Sequence, residues 1–173
     1  MRIGVPKEIK PQENRIGLTP ESVKTLVSEG HEVLVENNGG FEAGFDNEQY
    51  KNVGAKIVNK ASDIFNDAEI IVKVKEPQKV EVDMIRENQI IYTYLHLAAA
   101  KELTEGLIKS KSINIAYETV TDDNGRLPLL APMSAVAGRM SVQAGAHCLE
   151  KNQKGRGLLL GGAPGVTGGT VVI

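Results

Sequence analysis

Short runs of β-branched and aliphatic residues recur along the first two thirds of the chain. They are separated by stretches in which apolar positions follow helical spacing. The runs predict strands over Arg2–Val5, Glu32–Glu36, Ala55–Val58, Ile70–Lys75, Gln89–Tyr94 and Ser112–Ala116. Between the first two, Thr19 offers an N-cap, Pro20 suits the first helical position and Gly30 ends the helix, with Val23 and Leu26 as its apolar stripe. A second helix is expected over Asn47–Val53, capped by Asp46 and closed by Gly54, and a third from the end of Leu97–Ala100 to about Lys109. Strands alternating with helices of this length imply βαβ units. The expected fold class is therefore α/β, a doubly wound, mostly parallel sheet of Rossmann-like or flavodoxin-like type.

The pattern changes after Asp122-Asp123-Asn124-Gly125, a turn by composition. Pro128 and Pro132 flank the start of a longer helical stretch, Met133–Glu150, rich in small residues. Seven of the 18 glycines then fall between Gly155 and Gly169, which reads as a linker. It leads into Thr170-Val171-Val172-Ile173, which resembles the opening of a buried strand. The expected division is residues 1–127 as an α/β substrate domain and 128–173 as a connecting helix with the beginning of a second domain.

Composition narrows the function. With 173 residues there is room for one full domain and an extension, not for two of ordinary size. The 20 Lys+Arg nearly balance the 22 Asp+Glu, which argues against nucleic acid or an anionic membrane as partner. A single cysteine, Cys148, excludes an internal disulfide and a cysteine-based zinc site, and no metal site is expected. The opening MRIGVPKEIK has no apolar leader segment, so a cytoplasmic location is expected.

In an open parallel sheet, ligands bind beyond the carboxyl ends of the strands. Three candidates follow such ends: Arg15 in the loop after the first strand, Lys75 closing Ile71-Val72-Lys73-Val74-Lys75, and His96 after Gln89–Tyr94. An arginine fork suits a carboxylate, a lysine ammonium polarises a carbonyl oxygen, and histidine moves protons near neutral pH. Together they describe a site for a small keto or amino acid. Each also has a plain structural reading. Most basic residues are merely solvated, and Tyr94-Leu95-His96-Leu97 is an apolar setting that suits a hydrogen-bonded structural histidine. His31 and His147 read as structural. Lys73 shares a strand face with Lys75, so spacing does not choose between them. Gly161-Gly162-Ala163-Pro164-Gly165 lacks the strand-before, helix-after context of a nucleotide fingerprint.

Taken in order, MRIGVPKEIK with ENRIGLTP, VKVKEP, YTYLHLAAA, IAYETV, PLLAPMSAVAGRMSVQAGA and LLLGGAPGV resemble the NAD-dependent L-alanine dehydrogenases along the whole chain. The chain corresponds to about the N-terminal half of a member. The resemblance implies reversible oxidative deamination of L-alanine to pyruvate and ammonia, with NAD as cofactor and homo-oligomeric assembly, often hexameric. By the same resemblance Arg15 binds the substrate carboxylate, Lys75 (rather than Lys73) contacts the substrate and polarises its keto oxygen, and His96 is the proton donor and acceptor. Ser134 is similar to a residue that contacts the dinucleotide, with Met133 lining the same cleft. The α subunit of nicotinamide nucleotide transhydrogenase shares the R-I-G-x-P opening and is the nearest alternative, but it resembles the dehydrogenases least at the lysine of KVKEP and the histidine of LHLA, both present here. Relative to the family, the chain ends before the glycine fingerprint and before a later catalytic aspartate. The 173-residue chain is therefore expected to lack dehydrogenase activity alone, and its final residues to be poorly packed. A non-catalytic or split-gene fragment, binding a small carboxylate or a partner chain, is the reading from another class.

Overall fold

The computed structural model describes residues 1–172. The chain divides into two compact units, Met1–Val120 and Thr121–Ile173. The first contains six parallel strands: β1 (Arg2–Val5), β2 (Glu32–Glu36), β3 (Lys56–Val58), β4 (Ile70–Val72), β5 (Ile90–Thr93) and β6 (Ile113–Ala116). Their order across the sheet is β3-β2-β1-β4-β5-β6. The chain starts in the middle, winds outward to β3, then returns to lay β4 on the other side of β1. This is the doubly wound arrangement, and its switch point lies between β1 and β4.

Period-two alternation assigns the two faces. Ile3, Val5, Val33 and Val35 form one core with Val23 of α1 (Pro20–Ser28) and Tyr50 of α2 (Asn47–Asn52). Leu34, Ile71 and Ile91 form the other with Ile64 and Phe65 of α3 (Ala61–Asp67) and Leu107 of α5 (Lys101–Ser110). Each fully buried Ile, Val or Phe contributes on the order of 1.5–3 kcal/mol, so these two cores hold the sheet between its helices. Gly4 lets α3 approach: a Cβ there would stand 2.4 Å from Ile64 and 2.8 Å from Ala68.

The expected caps form. The Thr19 side chain accepts from Ser22 N, and Asp46 and Gln49 make a reciprocal capping box at α2. The pattern reading missed α3, which lacks the side-chain cap that marks α2, and the four-residue α4 (Lys79–Val82). It also ran one strand too far, since β4 stops at Val72 where Ile70–Lys75 was expected. Past Val72, the amides of Val74 and Lys75 turn to a side chain rather than to a neighbouring strand, Glu8 Oε1 accepting them at 2.6 and 3.2 Å.

The second unit carries α6 (Ala131–Cys148), two residues ahead of the Met133–Glu150 expectation at each end. No residue of α6 is buried. Beyond it, Ala163 and Val166 exchange backbone hydrogen bonds at 3.1 and 2.8 Å, so the glycine-rich run folds back on itself. Thr170–Val172 form no strand, and Val172 is 91% exposed. The buried strand expected there is thus corrected for these residues: no neighbouring strand pairs with them. Ile173 lies outside the described residues. None of the helices is long and apolar enough to cross a membrane among the described residues.

Candidate functional site

Arg15, Lys75 and His96 all lie beyond the carboxyl ends of strands, in segments following β1, β4 and β5. These strands are consecutive neighbours and parallel, so all three segments leave the same edge of the sheet. Arg15 and Lys75 flank the switch point.

The Arg15 loop is fastened to the sheet at both ends. Upstream, Glu8 is buried and binds the strand-end amides described above. Downstream, Gly17 lies so close to β4 that a Cβ would stand 2.5 Å from the Val72 carbonyl. Within the loop, Glu13 accepts three hydrogen bonds from Arg15: the backbone amide at 2.9 Å, Nε at 2.8 Å and Nη2 at 2.6 Å. The Glu13 side chain is 7% exposed and that of Arg15 is 51% exposed. The pair perturbs both partners. Hydrogen bonds from Arg15, against some burial, hold the Glu13 carboxyl down at about 2, with Lys75 adding attraction. The hydrogen bond to Glu13 raises Arg15. One guanidinium face is therefore committed, and Nη1 makes no hydrogen bond among the described residues.

The two lysines that spacing could not separate differ completely. Lys73 is fully buried, with Nζ 3.0 Å from Glu8 Oε2 and 2.8 Å from Glu81 Oε1. Burial pushes the Glu81 carboxyl up, against the attraction of Lys73. Lys75 is half-buried, and its ammonium makes no ion pair among the described residues. Lys10, in the same region, is neutralised by an ion pair with Glu76. Of the two, Lys75 is the one whose ammonium is not enclosed.

His96 adopts a left-handed backbone conformation, with φ 51° and ψ 37°. A non-glycine residue there needs compensation. Glu118, just past β6, supplies it by accepting the amides of Leu95 at 3.1 Å and His96 at 2.7 Å. The imidazole is exposed and lies roughly parallel to the Tyr94 ring, with centroids 6.4 Å apart. Against its burial, the hydrogen bond from Lys10 holds the Glu76 carboxyl below its ordinary value. Tyr117 packs edge-on against Tyr92 and Tyr94, and burial raises its phenol strongly.

The sequence reading thus named three side chains that emerge at one edge but missed the carboxylates fixing them. Glu13 stands two residues before Arg15, and Glu118 follows β6 at the same edge as His96. A charge-complement search at strand ends would have found both. Glu8 and Glu81 carry no signal, because nothing in the sequence says that either is buried.

Residues 4–137 match the family described as "Alanine dehydrogenase/PNT, N-terminal domain". The chain belongs to this family. It is 52% identical over its whole length to an alanine dehydrogenase of Staphylococcus epidermidis and 52% identical to one of Geobacillus stearothermophilus. It spans 46% of each. A solved L-alanine dehydrogenase superposes with a TM-score of 0.84 at 55% identity, covering 98% of this chain and 46% of that one. A transhydrogenase from Sinorhizobium meliloti gives 0.67 at 25% identity, covering 72% of this chain and 35% of its own. The chain therefore spans about half the length of the relatives it matches, and its likeness to the dehydrogenases is the greater.

Ser134 and Met133 lie in the first turn of α6. Ser134 is exposed, its hydroxyl donating to Leu130 O at 3.4 Å. A dinucleotide pyrophosphate is received by a glycine turn opening a helix. The run Gly161–Gly165 turns into the Ala163–Val166 bridge instead. It does not fit that group.

Proposed function

We propose that this chain provides the substrate side of an NAD-dependent L-alanine dehydrogenase, the enzyme that interconverts L-alanine with pyruvate and ammonia. The observation that carries this reading is the placement, at one switch point, of an arginine whose Nη1 edge is unbonded and a lysine that makes no ion pair, both among the described residues. The 50–55% identity to alanine dehydrogenases supports it over the transhydrogenase alternative.

In this reading Arg15 takes the substrate carboxylate through Nη1 and the outer hydrogen of Nη2, its other edge being held by Glu13. A charge-assisted bidentate contact fixes orientation as well as position. Lys75 donates to the keto oxygen and stabilises negative charge there as ammonia adds. His96 returns a proton to, or takes one from, the same oxygen or the amine, a role its exposed imidazole suits. Orientation by such contacts can supply several kcal/mol of the barrier reduction. The cofactor supplies hydride chemistry, and Ser134 with Met133 are proposed as its contacts from this chain. A cytoplasmic location and homo-oligomeric assembly belong to the same proposal.

The test is binding of pyruvate to the 173-residue chain, followed by amide chemical shifts. Saturable shifts at residues 13–17, 74–76 and 95–97 are expected, with at least about tenfold weaker binding in Arg15→Ala, as loss of a charge-assisted contact requires. Equal binding by wild type and Arg15→Ala would refute the assignment.

A further inference from the structure

The charges around the site do not balance in the way a simple cationic pocket would. Lys10 is neutralised by Glu76, and Lys73 is buried between Glu8 and Glu81. That leaves Arg15 and Lys75 as the cations facing a ligand, with Glu13 between them in electrostatic terms. Its carboxylate grips one edge of the Arg15 guanidinium and is also attracted by Lys75. The side chain of Glu13 is nearly enclosed while that of Arg15 is half in solvent, so Glu13 is the fixed member of the pair. Three hydrogen bonds from one residue hold it there, and a ligand carboxylate reaching the outer edge of Arg15 would have no need to displace it.

Resting on the function proposed above, we infer that Glu13 is a specificity-determining residue: its resident negative charge sets the site to accept one ligand carboxylate, favouring monocarboxylic over dicarboxylic acids. Glu13 offsets part of the positive charge that Arg15 and Lys75 bring to this edge, and a monocarboxylate meets the remainder. A second carboxylate on the ligand would be repelled by Glu13 and would lose hydration on entering. Selectivity arises from this repulsive element rather than from a tighter fit to the preferred ligand.

The experiment compares L-lactate with L-malate, which is lactate bearing one extra carboxylate on its methyl carbon. Both are titrated by amide shifts into the 173-residue wild type, Glu13→Gln and Glu13→Asp, with pyruvate and Arg15→Ala as the control for the underlying site. Glu13→Gln keeps the shape and removes the charge, whereas Glu13→Asp keeps the charge and alters the reach. Wild type should prefer lactate. Glu13→Gln should shift the lactate-to-malate affinity ratio toward malate by about tenfold, the scale of one charge several ångströms away in a partly solvated site. Glu13→Asp should keep the wild-type preference. An unchanged ratio in Glu13→Gln overturns the inference while leaving the carboxylate site intact. A Glu13→Asp ratio equal to that of Glu13→Gln also overturns it, since shape rather than charge would then be responsible. Pyruvate binding indifferent to Arg15→Ala removes the site itself and the inference with it.

Discussion

Replacing Lys73 by methionine tests the buried ion cluster under the site. The ammonium stands 3.0 Å from Glu8 Oε2 and 2.8 Å from Glu81 Oε1, and all three side chains are at most 2% exposed. At an effective dielectric of about 20, each contact is worth roughly 5 kcal/mol before desolvation, and desolvation offsets most of that. Removing the cation does not recover the cost, because it leaves two enclosed carboxylates facing one another. Lys73→Met should therefore lose about 3–5 kcal/mol, the range for breaking a buried pair from one side. The loss should depend on pH. Native Glu81 titrates above its ordinary 4.5 because of burial, so over the window above 4.5 the native state binds more protons than the unfolded one. Stability then falls as pH rises through that window. Without Lys73 the window widens, and the variant should be closer to wild type near pH 5 than near pH 7. Adding Glu81→Gln to Lys73→Met should recover part of the loss at pH 7. Urea titrations followed by circular dichroism at both pH values measure this. A loss below about 1 kcal/mol at pH 7, or the same loss at both pH values, would refute the argument that an uncompensated buried charge is responsible.

Three further outcomes are expected. The Glu13 carboxyl carbon should titrate near 2 by NMR rather than near 4.5; because its native value is depressed, the stability it contributes is present above 4.5 and is lost as pH falls toward 2, and a midpoint near 4 would show the Arg15 fork to be open in solution. Glu118→Ala should strip hydrogen-exchange protection from the Leu95 and His96 amides and weaken pyruvate binding by several-fold, since the left-handed His96 loses its two anchors; unchanged protection counts against this. Tyr50→Phe should cost about 1–3 kcal/mol in thermal or urea unfolding, because it strands the Leu18 carbonyl that now accepts from the buried phenol at 2.9 Å, and a neutral effect would mean that water replaces the bond.

Much of the fold was legible because its signals are local. Thr19-Pro20, Asp46 with Gln49, and Gly30 act on backbone groups within a turn of themselves, so each can be read without knowing the rest of the molecule. The central strands were legible because both sheet faces are covered there, which makes residues 3–5, 33–35 and 71–72 continuous runs of apolar or small residues. What escaped was set by contacts distant in sequence. β4 ends at Val72, and the Val74 amide beyond it goes to Glu8, 66 residues away, a partner that no periodicity in Ile70–Lys75 encodes. Thr170–Val172 has the composition of a strand but no partner, and composition supplies no partner.

The same distinction governs the site. Position at a strand end singled out Arg15, Lys75 and His96 as candidates, and topology brings β1, β4 and β5 together whatever their side chains do. It could not rank Lys75 above Lys73, since the two share a strand periodicity and a chemistry. What separates them is that one ammonium is enclosed by two carboxylates and the other by none, and those carboxylates come from β1's loop and from α4. A lysine so enclosed serves the fold, and its complete burial keeps it from a ligand. A lysine beside a single anion that already serves Arg15 keeps its charge for whatever enters. Function at this edge is therefore a question of which charges the protein has already spent on itself. Glu13 decides it for Arg15, Glu8 and Glu81 decide it for Lys73, and Lys75 is left over.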